Sequence, residues 1–363
     1  MIFNDVLEIK NGRNQKAVEN PVGRYPIYGS GGIMGHADDY ICEAETVIVG
    51  RKGSINNPIF VEEPFWNVDT AFGLTAKKDI LLPRYLYYFC KHFDFEQLNK
   101  AVTIPSLTKS DLLKIEIALP ELYEQQNIVD KMQGVEQVIL LNQKMLAKLD
   151  ELIKARFVEM FGDPEHNEKE WPIKKLNELC NIGSSKRIYQ EEQTKDGIPF
   201  WRISDLVAKM DTGNVESSLY IPESRYEELK AQGLVPEPGD ILVTSRGTLG
   251  RCYIISSDDC FYFQDGMISW LSRYADEITP LYIKYLFDMT GFKKQIDSMQ
   301  AGSTVAYLSI AMLKKMNIML PSRELQEQFA AFVAQVDKSK VVVQQALDKT
   351  QLLFDSLLQK YFG

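Results

Sequence analysis

A chain of 363 residues has room for two or three domains, and 45% hydrophobic with 25% charged residues is the balance of a globular protein with real cores. A net charge of −9 excludes a protein that coats nucleic acid over its whole surface, since phosphate neutralisation needs clustered Lys and Arg; a local basic face stays open. No apolar run is long enough for a membrane span, the start lacks a signal-peptide pattern, and five scattered cysteines (Cys42, Cys90, Cys180, Cys252, Cys260) form no C-x-x-C pair, so a cytoplasmic protein with reduced thiols is expected.

The first region reads β-rich, with the β-branched run Thr46 to Val49 and turns marked by Gly, Asn, Ser and Pro. Pro83 opens a short amphipathic helix carrying aromatics from Tyr85 to Phe89. After Leu119-Pro120 a long helix is predicted over 121–161. Its apolar series Ile128, Met132, Val135, Ile139, Asn142, Leu146, Leu149 and Ile153 alternates four–three spacing, the pattern of a coiled-coil seam. Gly162 and Pro164 stop it, and Glu165 to Glu170 reads as a polar linker before Trp171-Pro172.

The second region repeats the plan. Asp240 to Val243 and Phe261-Tyr262-Phe263 are strands, Pro280 opens a helix with aromatics from Tyr282 to Phe287, and a second long helix covers 322–361. Its seam runs Phe329, Val333, Val336, Lys340, Val343, Leu347, Thr350, Phe354 and Leu357. Asn142 and Lys340 break otherwise apolar stripes, where a polar residue costs stability and selects register and partner.

The repetition is literal. Shifted by 201 positions, Thr103–Gly162 lies on Thr304–Gly363 without a gap: Leu107 meets Leu308, Leu112 meets Leu313, Leu119-Pro120 meets Leu320-Pro321 and Gln125 meets Gln326. Upstream the offset drifts, as loop-length differences require. Val47-Ile48-Val49 with Gly53 falls on Ile241-Leu242-Val243 with Gly247, and Asn4-Asp5-Val6 falls on Asn177-Glu178-Leu179. A duplicated module suits a two-part target.

Three features together carry a family resemblance: the duplicated Leu-Pro…Gln entry into a long helix; Phe161-Gly162-Asp163-Pro164…Trp171-Pro172; and Pro238-Gly239-Asp240-Ile241-Leu242 followed by Arg246-Gly247 and Gly250. The chain resembles the DNA specificity subunit of type I restriction–modification systems. The resemblance implies an α+β fold in which two similar target-recognition domains are separated by long helices packed antiparallel, with approximate two-fold symmetry. It implies domains at 1–118 and 173–318, spacer helices at 119–162 and 319–363, and a linker at 163–172. Each half would read one half of a bipartite double-stranded DNA site. Two methylase subunits and motor–nuclease subunits are the implied partners, with S-adenosylmethionine, ATP and Mg bound there and no cofactor or catalytic residue in this chain. The first half departs from the pattern: Ala44-Glu45-Thr46-Val47 replaces Gly-Asp-Ile-Leu, and Asn56 stands where a second loop glycine is expected.

Base reading needs donors and acceptors that reach groove edges, flanked by Lys or Arg on phosphates. The glycine loops fit: Arg51, Lys52, Ser54, Asn56 and Asn57 in the first half, Thr244, Ser245, Arg246, Thr248 and Arg251 in the second. A polar stretch before each Leu-Pro adds Thr103, Ser106 and Lys109, matched by Ser303, Thr304 and Tyr307. Tyr28, Ser30, His36, Arg202 and Ser204 are further candidates near the start of each module, and Lys52 and Arg246 lead the set.

Two other classes compete. Tyr28-Gly29-Ser30-Gly31 and Asn57-Pro58-Ile59-Phe60 imitate the motifs of an adenine methyltransferase, without the second Pro, the intervening βα units or a strand before the glycines. A helical adaptor that scaffolds proteins without DNA is the non-enzymatic alternative. Glu8-Ile9-Lys10 lacks the separate carboxylate strand of a nuclease, and His36, His92 and His166 stand too far from the cysteines' spacing to form a zinc motif.

Overall fold

Runs of β-branched residues become the central strands. The computed structural model describes residues 1–99, 104–300 and 306–363. The chain divides into one unit of residues 1–146 with 342–363 and another of residues 147–341.

In the first unit the strands are β1 (Leu7–Asn11), β2 (Tyr25–Gly29), β3 (Gly32–Ala37), β4 (Thr46–Gly50), β5 (Ile59–Val61), β6 (Trp66–Asn67) and β7 (Ala71–Ala76). One antiparallel sheet has the order β1-β7-β4-β5, with Val47 opposite Leu74. Every residue of β4 is buried, so its sequence is a continuous apolar run without alternation. A smaller sheet, β3-β2-β6, pairs β2 with β6 in parallel.

The second unit contains β8 (Ile173–Lys175), β9 (Asn181–Gly183), β10 (Ile198–Trp201), β11 (Tyr220–Ile221), β12 (Ile241–Thr244), β13 (Cys252–Ile254), β14 (Tyr262–Phe263), β15 (Ile268–Ser272) and β16 (Asn317–Met319). Its antiparallel sheet has the order β9-β15-β12-β13, with Ile241 opposite Leu271, and its small sheet β11-β10-β14 again contains one parallel pair, β10 with β14. The strand order of the first unit is therefore repeated. The pairing of β8 with β16 also has a counterpart there, a single bridge between Ile2 and Glu116.

Pro83 and Pro280 open the helices Pro83–His92 and Pro280–Asp288, where the missing N–H costs nothing. The long helices run Leu122–Phe161 and Arg323–Phe362, each within a residue or two of the sequence expectation. At 1.5 Å per residue each spans roughly 60 Å. Inside each unit the two run antiparallel. In the first unit Lys131 lies over the Tyr361 ring at 5.9 Å, while Gln137 and Gln351 line one groove. In the second, Arg156 lies over the Phe332 ring at 5.7 Å and Lys340 pairs with Asp150. The Lys that interrupts the second stripe thus finds its opposite charge on the facing helix.

The stripes do more than face each other, because their ends complete the module cores. Val129, Met132, Phe354 and Leu358 are buried with Phe3, Leu74, Tyr88 and Phe95 in the first unit. Ile153, Phe157, Phe161, Phe329 and Val333 are buried with Leu271, Tyr282 and Leu313 in the second. Phe329 packs its ring against Phe157 at 5.5 Å, Phe161 at 5.4 Å and Tyr285 at 5.4 Å.

The Leu-Pro…Gln signature is a buried amide clamp. Gln125 accepts from Leu82 N (2.9 Å) and donates to the carbonyls of Ile80 (2.9 Å) and Pro120 (2.9 Å). Gln326 accepts from Thr279 N (2.8 Å) and Oγ1 (3.1 Å), and donates to Glu277 O (2.9 Å) and Pro321 O (3.0 Å). Beside each clamp a tyrosine hydroxyl donates to the backbone carbonyl just before the Leu-Pro pair, Tyr85 to Ala118 at 3.1 Å and Tyr282 to Met319 at 2.9 Å. Both glutamines are buried, so the amide satisfies backbone groups that water cannot reach.

The stretch after the first long helix, expected as a polar linker, is a bonded turn. Gly162 adopts φ 82° and its N–H bonds Val158 O at 2.7 Å, a left-handed helix end. Trp171 Nε1 donates to Phe161 O at 2.8 Å, and Asn167 exchanges two hydrogen bonds with the Trp171 backbone. Cys42, Cys90, Cys180 and Cys252 are buried free thiols and Cys260 is exposed. No helix among the described residues is long and apolar enough to cross a membrane.

Candidate nucleic-acid interface

In both units the fully buried central strand ends in a loop that a left-handed glycine turns back. Gly53 has φ 79° and Gly247 φ 68°, with open space where a Cβ would be, so backbone conformation alone calls for glycine. The residue before each glycine is an exposed cation, Lys52 or Arg246. A short segment from the polar stretch packs alongside. Lys52 bridges Ser106, whose N–H bonds Asn99 Oδ1 at 3.1 Å. The Arg246 guanidinium lies 5.2 Å from the Tyr307 ring centre, and Gln300 clamps Tyr307 through both its N–H (2.8 Å) and its carbonyl (3.0 Å). The fold thus brings Lys52 to Ser106 and Arg246 to Tyr307. Thr103, Ser303 and Thr304 lie outside the described residues.

In the first unit, Arg51, Ser54 and Asn57 are exposed around Lys52. Arg51 Nη1 reaches Asp69 O at 3.5 Å. Two of the candidates also make internal hydrogen bonds. Asn56 spends its amide internally, donating to Asp94 Oδ1 (2.7 Å) and accepting from Phe95 N (2.7 Å). Lys109, an exposed residue, donates to Ile9 O at 2.6 Å. Tyr28 is half-buried on β2, and burial with the Glu63 carboxylate pushes its hydroxyl above the ordinary value, so it stays protonated. Ser30 begins the β2–β3 hairpin turn and His36 is exposed on β3. That hairpin contains Tyr28-Gly29-Ser30-Gly31, which is a strand-to-strand turn and not a phosphate-binding turn into a helix.

In the second unit Thr244 and Ser245 are buried, which corrects their place among the exposed loop candidates. Thr244 Oγ1 accepts from Arg251 N (3.0 Å) and donates to Thr248 O; the Ser245 and Ser269 hydroxyls hydrogen-bond each other at 2.8 Å. These hydroxyls close the loop from inside, leaving Arg246 and Thr248 exposed. Arg251 turns to Asp211, and its hydrogen bond holds that carboxyl below the usual value. Arg202 precedes the helix Ile203–Thr212, its N–H donating to Asp205 Oδ2 at 2.8 Å, and Ser204 is exposed in the first turn.

Arg202 and Arg246 line one recess of about 780 Å³. It also receives Arg187, Gln190, Gln193 and Gln264, side chains absent from the sequence-based set. The available signal was position: Gln264 directly follows the Phe261–Phe263 run, and its N–H continues the parallel pairing by bonding Trp201 O at 2.9 Å. Arginine forks and glutamine amides are the groups that read guanine and adenine edges. Among the described residues no group of three His, Cys, Asp or Glu is arranged to hold a metal ion.

Two modules with one strand order, each ending in a glycine-turned cationic loop, define a two-module recognition protein. Residues 3–151 and 168–349 match the type I restriction modification DNA specificity domain. The chain therefore belongs to this family, the DNA sequence-recognition subunits of type I restriction–modification systems. It is similar to a putative type I restriction enzyme specificity subunit of Haemophilus influenzae, 26% identical over 350 residues covering 93% of this chain and 86% of the relative. It is also similar to the EcoBI specificity subunit of Escherichia coli, 23% identical over 379 residues, covering 94% of this chain and 77% of the relative. Among solved structures, a type I S subunit from M. genitalium shares the fold at a TM-score of 0.58 and 19% identity, covering 100% of this chain and 95% of that one. The methyltransferase and adaptor alternatives find no support in these likenesses.

Proposed function

We propose that each module reads its own half of a bipartite DNA site, with residues 1–118 and 173–318 as the recognition domains. One observation carries the reading: the buried frame is the same in both units, while the solvent-facing loop residues differ. Lys52 with Arg51, Ser54, Asn57 and Ser106 would contact one half-site. Arg246 with Arg202, Thr248 and Tyr307 would contact the other. The chain supplies sequence reading and no catalysis. Methyl transfer and cleavage belong to two methylase subunits and to motor–nuclease subunits, which bind S-adenosylmethionine, ATP and Mg, and the assembly works in the cytoplasm. The test is replacement of residues 173–318 by the equivalent region of a related specificity subunit, followed by mapping of methylated adenines in a host carrying the complete system. One half-site changes and the other stays. A change in both, or in neither, defeats independent recognition.

A further inference from the structure

We propose that Arg187, held by Asp265 at the rim of the second unit's recess, reads a guanine in the half-site that this unit recognises. The inference rests on the reading of that unit as a DNA-recognition module. The backbone on both sides of Arg187 is tied to the module core. The buried Tyr262 hydroxyl accepts from the N–H of Lys186 at 2.8 Å and donates to the same residue's carbonyl at 3.3 Å. On the other side, Ile188 is buried in a small core with Phe200 and Tyr262. The backbone is therefore pinned on both sides of Arg187.

The head group has a charged partner. Arg187 Nε donates to Asp265 Oδ2 at 3.0 Å. Asp265 is itself placed by its neighbours: Gln264 N bonds Trp201 O at 2.9 Å, and Gly266, at φ 70°, bonds Ser184 Oγ at 3.3 Å. With Nε on the carboxylate, the guanidinium presents its two Nη groups as a planar pair of donors. That pair matches the O6 and N7 acceptors of guanine, whereas the amino group of adenine would oppose one of the two donors. The Arg187 side chain is 64% exposed, so its head group is open to a ligand. Arg202 and Arg246 line the same recess and raise its attraction for a phosphate-flanked base edge. The first unit has a similar mount: Trp66 Nε1 donates to Arg13 O at 3.0 Å, and Arg13 N donates to Asn67 O at 2.8 Å.

The test uses the full chain assembled with its methylase partner, assayed on duplexes in which each base pair of the second half-site is changed in turn. Arg187→Ala and Arg187→Lys should each relax discrimination at one G·C pair by roughly 5- to 140-fold, the range that 1–3 kcal/mol for a bidentate pair gives. Lysine fails because it offers no planar fork. Asp265→Asn should relax the same pair less, and the first half-site should stay unchanged. Uniform weakening on every sequence, with the salt slope falling by about one, would mark a phosphate contact and overturn the proposal. So would unchanged discrimination, or a second half-site without a G·C pair. The exchange of residues 173–318 is run beside it. If the exchange changes the half-site while Arg187→Ala alters no base pair, only the assignment of Arg187 fails. If the exchange leaves the half-site unchanged, the module reading fails with it.

Discussion

The loops that follow β4 and β12 leave equivalent strands and turn on equivalent glycines, yet different chemistry closes them. In the first unit Gly50 leaves room for the Ser54 carbonyl, which would lie 2.3 Å from a Cβ there, and the Asn56 amide ties the loop to Asp94 and Phe95. In the second unit a threonine stands at the strand end, and its hydroxyl gathers the Thr248 carbonyl and the Arg251 N–H. Asn56 therefore takes over a closing role where the second loop glycine is missing. The buried frame below both loops is the same: one strand order, one amide clamp, one tyrosine hydroxyl on the carbonyl before Leu-Pro. A frame copied this closely lets the loop residues vary without moving the strands that carry them.

The largest expected effect separates the helix–core contacts of the two units. Phe329 and Ile128 occupy equivalent positions, but Phe329 is fully buried among three rings while Ile128 is half-buried. Phe329→Ala should cost roughly 3–5 kcal/mol and Ile128→Ala roughly 1–2 kcal/mol, measured by urea unfolding of the full chain. Equal losses would mean that the two helix ends are anchored alike, against the packing described.

Next come the clamps, which should behave as a matched pair. Gln125→Ala and Gln326→Ala each orphan buried backbone groups, at roughly 2–4 kcal/mol apiece. The second should cost somewhat more, because Thr279 Oγ1 also loses its acceptor. A loss confined to one of the two would break the claim of a shared frame.

The smallest effect tests where the copies diverge in charge. Lys91 pairs with Glu136 at 3.1 Å, whereas the corresponding residue of the second unit is Asp288. Burial holds the Asp288 carboxyl above the usual range, only partly offset by Lys284, Lys293, Lys154 and Arg251. A carboxyl raised on folding binds its proton more tightly in the folded state, so it costs stability at neutral pH, and the cost fades as pH falls through the folded value. Asp288→Asn should therefore melt slightly higher than the parent at pH 7, with the difference shrinking towards pH 4. A lower melting temperature at pH 7 would show that its cation partners outweigh its burial.

Much of this protein could be read from the sequence itself. The duplication, both long helices, the seams from Ile128 and Phe329, and the pairing of Lys52 with Arg246 all follow from periodicity, turn residues and a constant offset, which are properties of neighbouring residues. The destination of a polar side chain is different, because it depends on which distant segment packs against it. Asn56 and Lys109 gain hydrogen-bond partners, Asp94 and Ile9, that lie 38 and 100 residues away and that no local pattern announces. Thr244 and Ser245 resemble Arg246 and Thr248 in polarity, but β12 buries the first pair and its glycine turn expels the second. Arg187, Gln264 and Arg246 meet in one recess only because β10 and β14 pair in parallel beside the antiparallel sheet, and non-local strand pairing leaves no local trace in the order of the residues.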